Sequence, residues 1–561
     1  MFIPKPRRPP VAAPLALAAV MSLMACQTET AAPGPAPEPL ASAHSEAEYR
    51  AALLGLGIDT AGLQSMPGGY LAEGDIWFGN EDLNRILAEG RGLAKSAHRY
   101  YGHVDEKNAR LIKVLIHSSL SAWQRDVTQA LNLWNEIHSQ VRFILVNSGA
   151  DLTIAADTWT GLPAGQRNQP ASTCGIGGFP TMGGPFQYIG LNIDNTTMAS
   201  DQKERISVIM HEVGHTIGFI HTNTTNPNEG TAVSAYPNPD PGSIMNGSSC
   251  GTSDDNFSMN DRRALLFLYP TDMPIPGSTF DIDALDDRIV WRPGNGNWRW
   301  TKSTSAYNNV TMTKAWGQRG DIPLPKTRFD SDARHEMAVW RPDNGNWYVL
   351  TSSSNYVSAL ASTPNLGQRG DQPFPGLDVD ADGKTDIAYY RWTDNSWKWR
   401  TSSSNWAQGG QTSFGLLGVV PVPFTDMDGD GKNDLVLYDP SDSRWYWRTA
   451  ASGFASGSSV IFGQRGDVPV PGADLDNDSK DDRIVYRPLA GQWLVSKSSS
   501  NFAQSATYTF GTAQDFPVGE WDVEGDGKAD LVGYGLNLNG SQVFASRTKN
   551  SFFTSGPTWF P

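Results

Sequence analysis

Apolar and polar residues follow two different rhythms along this 561-residue chain, and the change falls near residue 270. Before it, "LSAWQRDVTQALNLWNEIHS" (120–139) and "DQKERISVIMHEVGHTIGFIH" (201–221) space their apolar positions three and four apart and predict helices. Asp201 is placed to cap the second helix and Gly218 to end it. "RLIKVLIH" (110–117), "VRFILV", "DLTIA" and "YIGLNID" are short β-rich runs, and "SMNDRRALLFLYP" predicts a closing helix that stops at Pro270. This first region is therefore mixed α and β.

Beyond 270, alternation at period two takes over in six repeats. "DMPIPG", "DIPLPK", "DQPFPG", "VVPVPF", "DVPVPG" and "DFPVGE" each precede an acidic loop, an aromatic strand and a tryptophan-rich strand. The ninth loop positions are Asp287, Glu336, Asp386, Asp434, Asp482 and Asp530, spaced 48 to 50 residues apart. β units of that period predict an all-β propeller of about six blades. The expected domains are 46–105, a leading segment; 106–270, the α+β domain; and 271–561, the propeller.

The first 45 residues follow neither rhythm. Lys5, Arg7 and Arg8 precede an apolar run at 11–24 and the small-residue site Leu23-Met24-Ala25-Cys26, which predicts a signal peptide over 1–26 and an exported chain. "LMAC" resembles the lipobox of bacterial lipoproteins, which implies lipidation of Cys26 and attachment to an outer membrane or cell surface by the lipid alone. Ordinary cleavage and secretion is the alternative. Residues 27–45 are rich in Ala, Pro and Glu and suit a tether. If lipid consumes Cys26, then Cys174 and Cys250 remain, and an exported chain should pair them; buried thiols are the alternative in a reducing compartment.

Chemistry concentrates in "HEVGHTIGFIH" (211–221), which holds three of the nine histidines. On a helix, His211 and His215 lie four apart and leave one face together. Gly218 can turn the chain so that His221 returns as a third zinc ligand, and Glu212 can act as general base on the attacking water. The motif resembles that of the metzincin zinc endopeptidases, with "GSIMNGSSC" offering Met245 for the methionine turn 24 residues beyond His221. "HEVGHTIGFIHT" with "DPGSIMN" is most similar to the bacterial dual-action HEIGH metallopeptidases, a resemblance covering about 70–270. It implies a metzincin-like fold, protein or peptide substrates and hydrolysis of peptide bonds. Gly247 stands where some members of the clan carry an additional tyrosine ligand, so none is expected. "AEGDIWFG" (72–79) is similar to the propeptide motif of astacins, which implies that Asp75 plugs the zinc site; an exposed turn aspartate is the alternative. A cysteine switch is excluded, because no cysteine lies between 27 and 173.

The net charge of -15 argues against nucleic acid as a partner, and the acids cluster in the repeats. The four complete loops carry oxygen donors at positions 1, 3, 5 and 9. These are Asp378, Asp380, Asp382 and Asp386; Asp426, Asp428, Asp430 and Asp434; Asp474, Asp476, Asp478 and Asp482; and Asp522, Glu524, Asp526 and Asp530. Such sets suit Ca²⁺, and the strands that come after them exclude an EF-hand. The loops are similar to those of FG-GAP or VCBS-type propeller repeats. Thr279 and Arg328 at position 1 make the first two loops degenerate, with Arg328 opposing a cation directly. "GQRGD" recurs at 317, 367 and 463; its aspartates open the D-x-P-x-P run, so a structural role explains the period better than adhesion does. Tryptophans in "NWRW", "SWKW" and "RWYW" fit blade packing, with a carbohydrate platform as the alternative. The expected protein is thus a monomeric zinc endopeptidase with a calcium-loaded propeller; the competing reading is a surface adhesin or lectin with a vestigial metal domain.

Overall fold

In the computed structural model the described residues are 44–56, 58–89, 102–222, 240–247, 250, 256–281, 283, 285–305, 311–360, 365–522, 527–536, 542–547 and 552–554. Cys26, Glu524 and Asp526, with the expected signal peptide, lie outside them. Among the described residues no helix is long and apolar enough to cross a membrane.

The leading segment is itself folded. Helix α1 (Glu46–Leu56) precedes three short strands, β1 (Gln64–Met66), β2 (Gly69–Ala72) and β3 (Ile76–Gly79), paired antiparallel in that order, and α2 (Asn80–Glu89). Tyr49, Leu53, Ile76 and Leu83 are buried together with Phe179 and Ile220 of the α+β region, so the segment is packed onto that region.

The α+β region is built on a five-stranded sheet. Strands β4 (Ile112–Ile116), β5 (Phe143–Leu145), β6 (Leu152–Ala156), β7 (Gly175–Ile176) and β8 (Tyr188–Leu191) lie in the order β5-β4-β6-β8-β7, all parallel except β7 at one edge. Val114, Ile154 and Ile189 are fully buried, as expected of parallel strands covered on both faces. Helices α3 (Gln124–Asn135) and α4 (Gln202–Thr216) pack against each other, and Trp134 Nε1 donates to Met210 O at 3.2 Å. Asp201 caps α4 by accepting from the amides of Lys203 and Glu204, and Gly218, at φ 108°, turns the chain after it. The closing helix α5 (Met259–Leu268) starts with a capping box between Ser258 and Asp261. A disulfide joins Cys174 to Cys250.

Beyond the closing helix the described residues form six antiparallel sheets. The fourth shows the pattern: Val420–Pro421, Leu435–Asp439, Arg444–Arg448 and Gly457–Ile461 pair in sequence order. The second has three strands among the described residues, with the bridges Asn346↔Asn365 and Leu350↔Ala359 alongside its last one. Trp298, Trp347, Trp397, Trp445 and Trp493 are buried, and each indole donates to a carbonyl 17 to 19 residues on. These rings are core, whereas Trp399 and Trp447, the second tryptophans of "SWKW" and "RWYW", are half-buried.

Position 8 of each acidic loop stitches it to a neighbour. His335 N donates to Thr279 O, Thr385 N to Arg328 O, Asp481 N to Asp426 O and Ala529 N to Asp474 O. Asn433 Nδ2 donates to Gly376 O at 2.7 Å between the third and fourth repeats. The series returns on itself: Asp522 N, in the sixth loop, donates to Asp286 Oδ2 in the first at 3.0 Å. Val290 of the first sheet is buried in one cluster with Val518, Trp521, Val532 and Tyr534 of the sixth.

Candidate metal centre

Helix α4 places His211 and His215 one turn apart, and the turn at Gly218 returns His221 to them. His215 Nε2 lies 3.0 Å and His221 Nε2 3.1 Å from His211 Nε2. All three rings are buried. Their far nitrogens are pinned: His211 Nδ1 donates to Ile244 O at 2.8 Å, His215 Nδ1 to Phe219 O at 2.7 Å, and His221 Nδ1 meets Glu73 Oε2 at 2.5 Å. A carbonyl can only accept, so His211 and His215 carry their protons on Nδ1 and turn bare lone pairs toward each other. Two lone pairs 3.0 Å apart need a cation between them, which is what this donor set offers.

Asp75 supplies the fourth side. Its carboxylate is fully buried, with Oδ1 3.2 Å from His221 Nε2 and Oδ2 3.5 Å from His211 Nε2. The only polar partners its oxygens meet among the described residues are these ring nitrogens, the same atoms that would hold a metal ion. The structure therefore brings Asp75, His211, His215 and His221 into one group. Burial works against Asp75's charge, but His221 and His211 prevail and hold its carboxyl far below the usual range. Burial and then His211 and His221 depress His215. Burial also opposes charging of His221, yet Asp75 and Glu73 raise it well above the ordinary imidazole value.

Glu212 is fully buried beside the edge strand β7, and burial, then Asp75, raises its carboxyl well above the usual range. A Cβ on Gly175 would come 2.8 Å from Glu212 Oε1, and one on Gly177 2.9 Å from Oε2, so these glycines make the carboxylate's room. Met245 packs against Gly214 of α4, its Sδ standing where a Cβ on that glycine would be, and its carbonyl accepts from Thr222 N at 2.9 Å. The sequence reading missed Glu73, Gly175 and Gly177; the run "CGIGG" (174–178) was the available signal for the two glycines.

Residues 75–77 lie along that edge. Gly177 N donates to Asp75 O at 3.2 Å and Trp77 N to Gly177 O at 2.9 Å, a parallel bridge through Ile76. The chain thus covers the open edge of β7 and puts Asp75 into the histidine cluster in one stroke.

The acidic loops gather their donors only in part. Asp378, Asp380 and Asp386 converge, as do Asp426, Asp428 and Asp434, and Asp474, Asp476 and Asp478. Asp382 instead accepts from Lys384 N and the Ser402 hydroxyl, Asp430 from Lys432 N, and Asp482 from Leu475 N and Ser498 N. Asp522 accepts from Gly527 N at 2.9 Å. Asp530 is buried. The ninth position is a buried brace in each of the middle loops: Asp434 accepts from Met427 N and Ala450 N, and Asp386 from Val379 N and Ser402 N. Burial pushes these carboxyls up, Asp386 and Asp482 to about 6 and Asp434 to about 7. In the second loop Arg334 lies 3.0 Å from Asp332. The serines of "TSSSN" and "KSSSN" were overlooked: Ser402, Ser403, Ser498 and Ser499 all donate into the third and fifth loops.

Residues 72–269 match the family model of the dual-action HEIGH metallo-peptidases, and residues 426–485 that of the FG-GAP-like repeat. The chain thus resembles a metallopeptidase over 72–269 and an FG-GAP-like repeat over 426–485. Among solved structures it is similar to a crystal structure of myroilysin, with 16% identity over 29% of this chain and 85% of that one and a TM-score of 0.21. A second myroilysin structure gives 15% identity over 30% and 84%, with a TM-score of 0.20. A crystal structure of a protein from Lactobacillus plantarum gives 9% identity over 50% and 84%, with a TM-score of 0.28. No curated protein matches the chain.

Proposed function

We propose that this metallopeptidase is a zinc endopeptidase held latent by its own leading segment. The observation that carries the reading is the pair of inward lone pairs on His211 and His215, 3.0 Å apart, with Glu212 beside them in the same helix. His211, His215 and His221 would hold the metal. Zinc bound there supplies Lewis acidity that polarises a peptide carbonyl and favours ionisation of water near neutral pH. Glu212 takes the proton of the attacking water and passes it to the leaving amine. The edge of β7 binds the extended substrate backbone where residues 75–77 now run, so Asp75 and a substrate exclude each other. Glu212→Gln tests the chemistry: casein hydrolysis by the trimmed chain should fall by about 10²- to 10⁴-fold, with one zinc per chain retained. Unchanged hydrolysis would sink the assignment.

The repeats are read as a six-bladed propeller, supported by the loop-to-loop bonds that run from the first repeat to the sixth and back. The third, fourth and fifth loops are its calcium sites, supported by their converging carboxylates. Export, with Cys26 as the lipid-bearing residue, is tested by labelled palmitate: incorporation that persists in Cys26→Ser would exclude it.

A further inference from the structure

The linkers between repeats face the metallopeptidase region and touch it. Arg263 Nε donates to Arg319 O at 3.1 Å, Asn132 Nδ2 to Gly418 O at 3.1 Å, and Arg142 to Asp515 O and Ala513 O, both at 2.7 Å. The glycine that follows Arg in this repeat is a contact point. Gly320, Gly370 and Gly466 have φ of 95°, 88° and 87°, and a Cβ on them would meet Met259 Sδ at 2.5 Å, Asn256 Oδ1 at 2.2 Å and Leu145 O at 2.4 Å. The aspartates of the R-G-D triplets are internally paired: Asp321 with Arg341, Asp371 with Arg391 and Asp467 with Arg487. Within each triplet the glycine thus meets the α+β region while the aspartate is engaged inside its own repeat.

One of these linkers reaches toward the metal centre. Arg369 Nη2 donates to Gly242 O at 3.3 Å and to Asn256 O at 3.2 Å. Those carbonyls lie on either side of Ile244 and Met245 in the chain. Ile244 O is the acceptor that orients His211, and Ile244 N is itself held by Asp261 Oδ2 at 2.9 Å. The equivalent Arg319 turns back on Gly294 O of its own repeat at 2.8 Å.

We propose that Arg369, a residue of the repeat region, is a positioning residue of the metal centre: by clamping the backbone around the methionine turn it fixes Ile244 O and so the ring of His211. This rests on the zinc reading above. Loss of an outer partner of a ligating histidine typically weakens a metal site about 10- to 100-fold.

The test is the rate at which a chelator strips zinc from the full chain, read with a chromophoric indicator, in the parent protein, Arg369→Ala, Arg369→Lys and Arg465→Ala. Arg465 holds the same repeat position in another linker and serves as the docking control. Stripping should be about tenfold faster in Arg369→Ala, intermediate in Arg369→Lys, which keeps one donor group, and unchanged in Arg465→Ala. Parent-like stripping in a folded Arg369→Ala, or equal acceleration in Arg465→Ala, overturns the proposal while leaving the zinc reading intact. If Arg369→Ala does not fold, Arg369→Lys decides by the same measure. A parent chain that carries no zinc overturns the zinc reading and this proposal with it.

Discussion

At the histidine centre the donors come from a helix, the turn after it and a turn far upstream between β2 and β3, and all four are buried. In the third acidic loop, Asp378 and Asp380 sit two residues apart, half-buried and exposed, and only Asp386 is buried. The first site is built by tertiary packing, each ring fixed by a partner outside the donor set, so its shape persists without an ion. The second is local, its carboxylates repel one another, and serine hydroxyls hold part of it. Emptying the two kinds of site should therefore have different consequences: lost chemistry at one, lost stability at the other.

The largest effect tests the buried side of this contrast. Asp75→Ala should make the untrimmed chain active; if the plug leaves about 1% of molecules open, the gain is about 100-fold. Latency that survives the substitution would mean that packing of the leading segment, not its carboxylate, closes the site. Next comes calcium. At about 100 times the dissociation constant, each occupied loop adds about 2.7 kcal/mol, which should raise the melting temperature of the repeats by about 5 °C or more; a calorimetric trace that does not move removes the calcium assignment.

The third prediction is the pH course of that transition. The ninth-position carboxyls are raised by burial, to about 6 in Asp386 and Asp482 and about 7 in Asp434, against about 4 in the unfolded chain. The fold therefore favours their protonated form. In chelator, their contribution is fully present below about pH 4 and is lost as pH rises through 6 to 7. Calcium, which needs the ionised form, should flatten or reverse this fall; parallel curves with and without it would argue that these acids are braces alone. The smallest effect should come from the second loop. Because Arg334 already neutralises Asp332, Asp332→Asn should change the calcium-induced shift by less than about 1 °C, whereas Asp380→Asn should reduce it measurably.

Much of the histidine centre was legible because its logic is local. A helix puts positions four apart on one face, and a glycine at φ 108° turns the chain, so the spacing of His211, His215 and His221 carries its own geometry. The repeats were legible for the same reason, through period-two alternation and a near-constant interval. Glu73 was not, since nothing around it marks it as the partner of a histidine 148 residues away. The docking role of the Arg-Gly pairs was hidden likewise: a period shows that a residue recurs, not what its linker touches.

The bond between Asp522 and Asp286 has a consequence for endurance. An array of repeats ordinarily frays from its outer members, which have a neighbour on one side only. Here the last repeat leans on the first, so neither outer member can peel away without parting two neighbours at once. A nick in one linker then leaves both pieces held, and cleavage must wait for a rarer, larger opening. A peptidase is its own nearest substrate, and this stitch is where its resistance to self-digestion should reside.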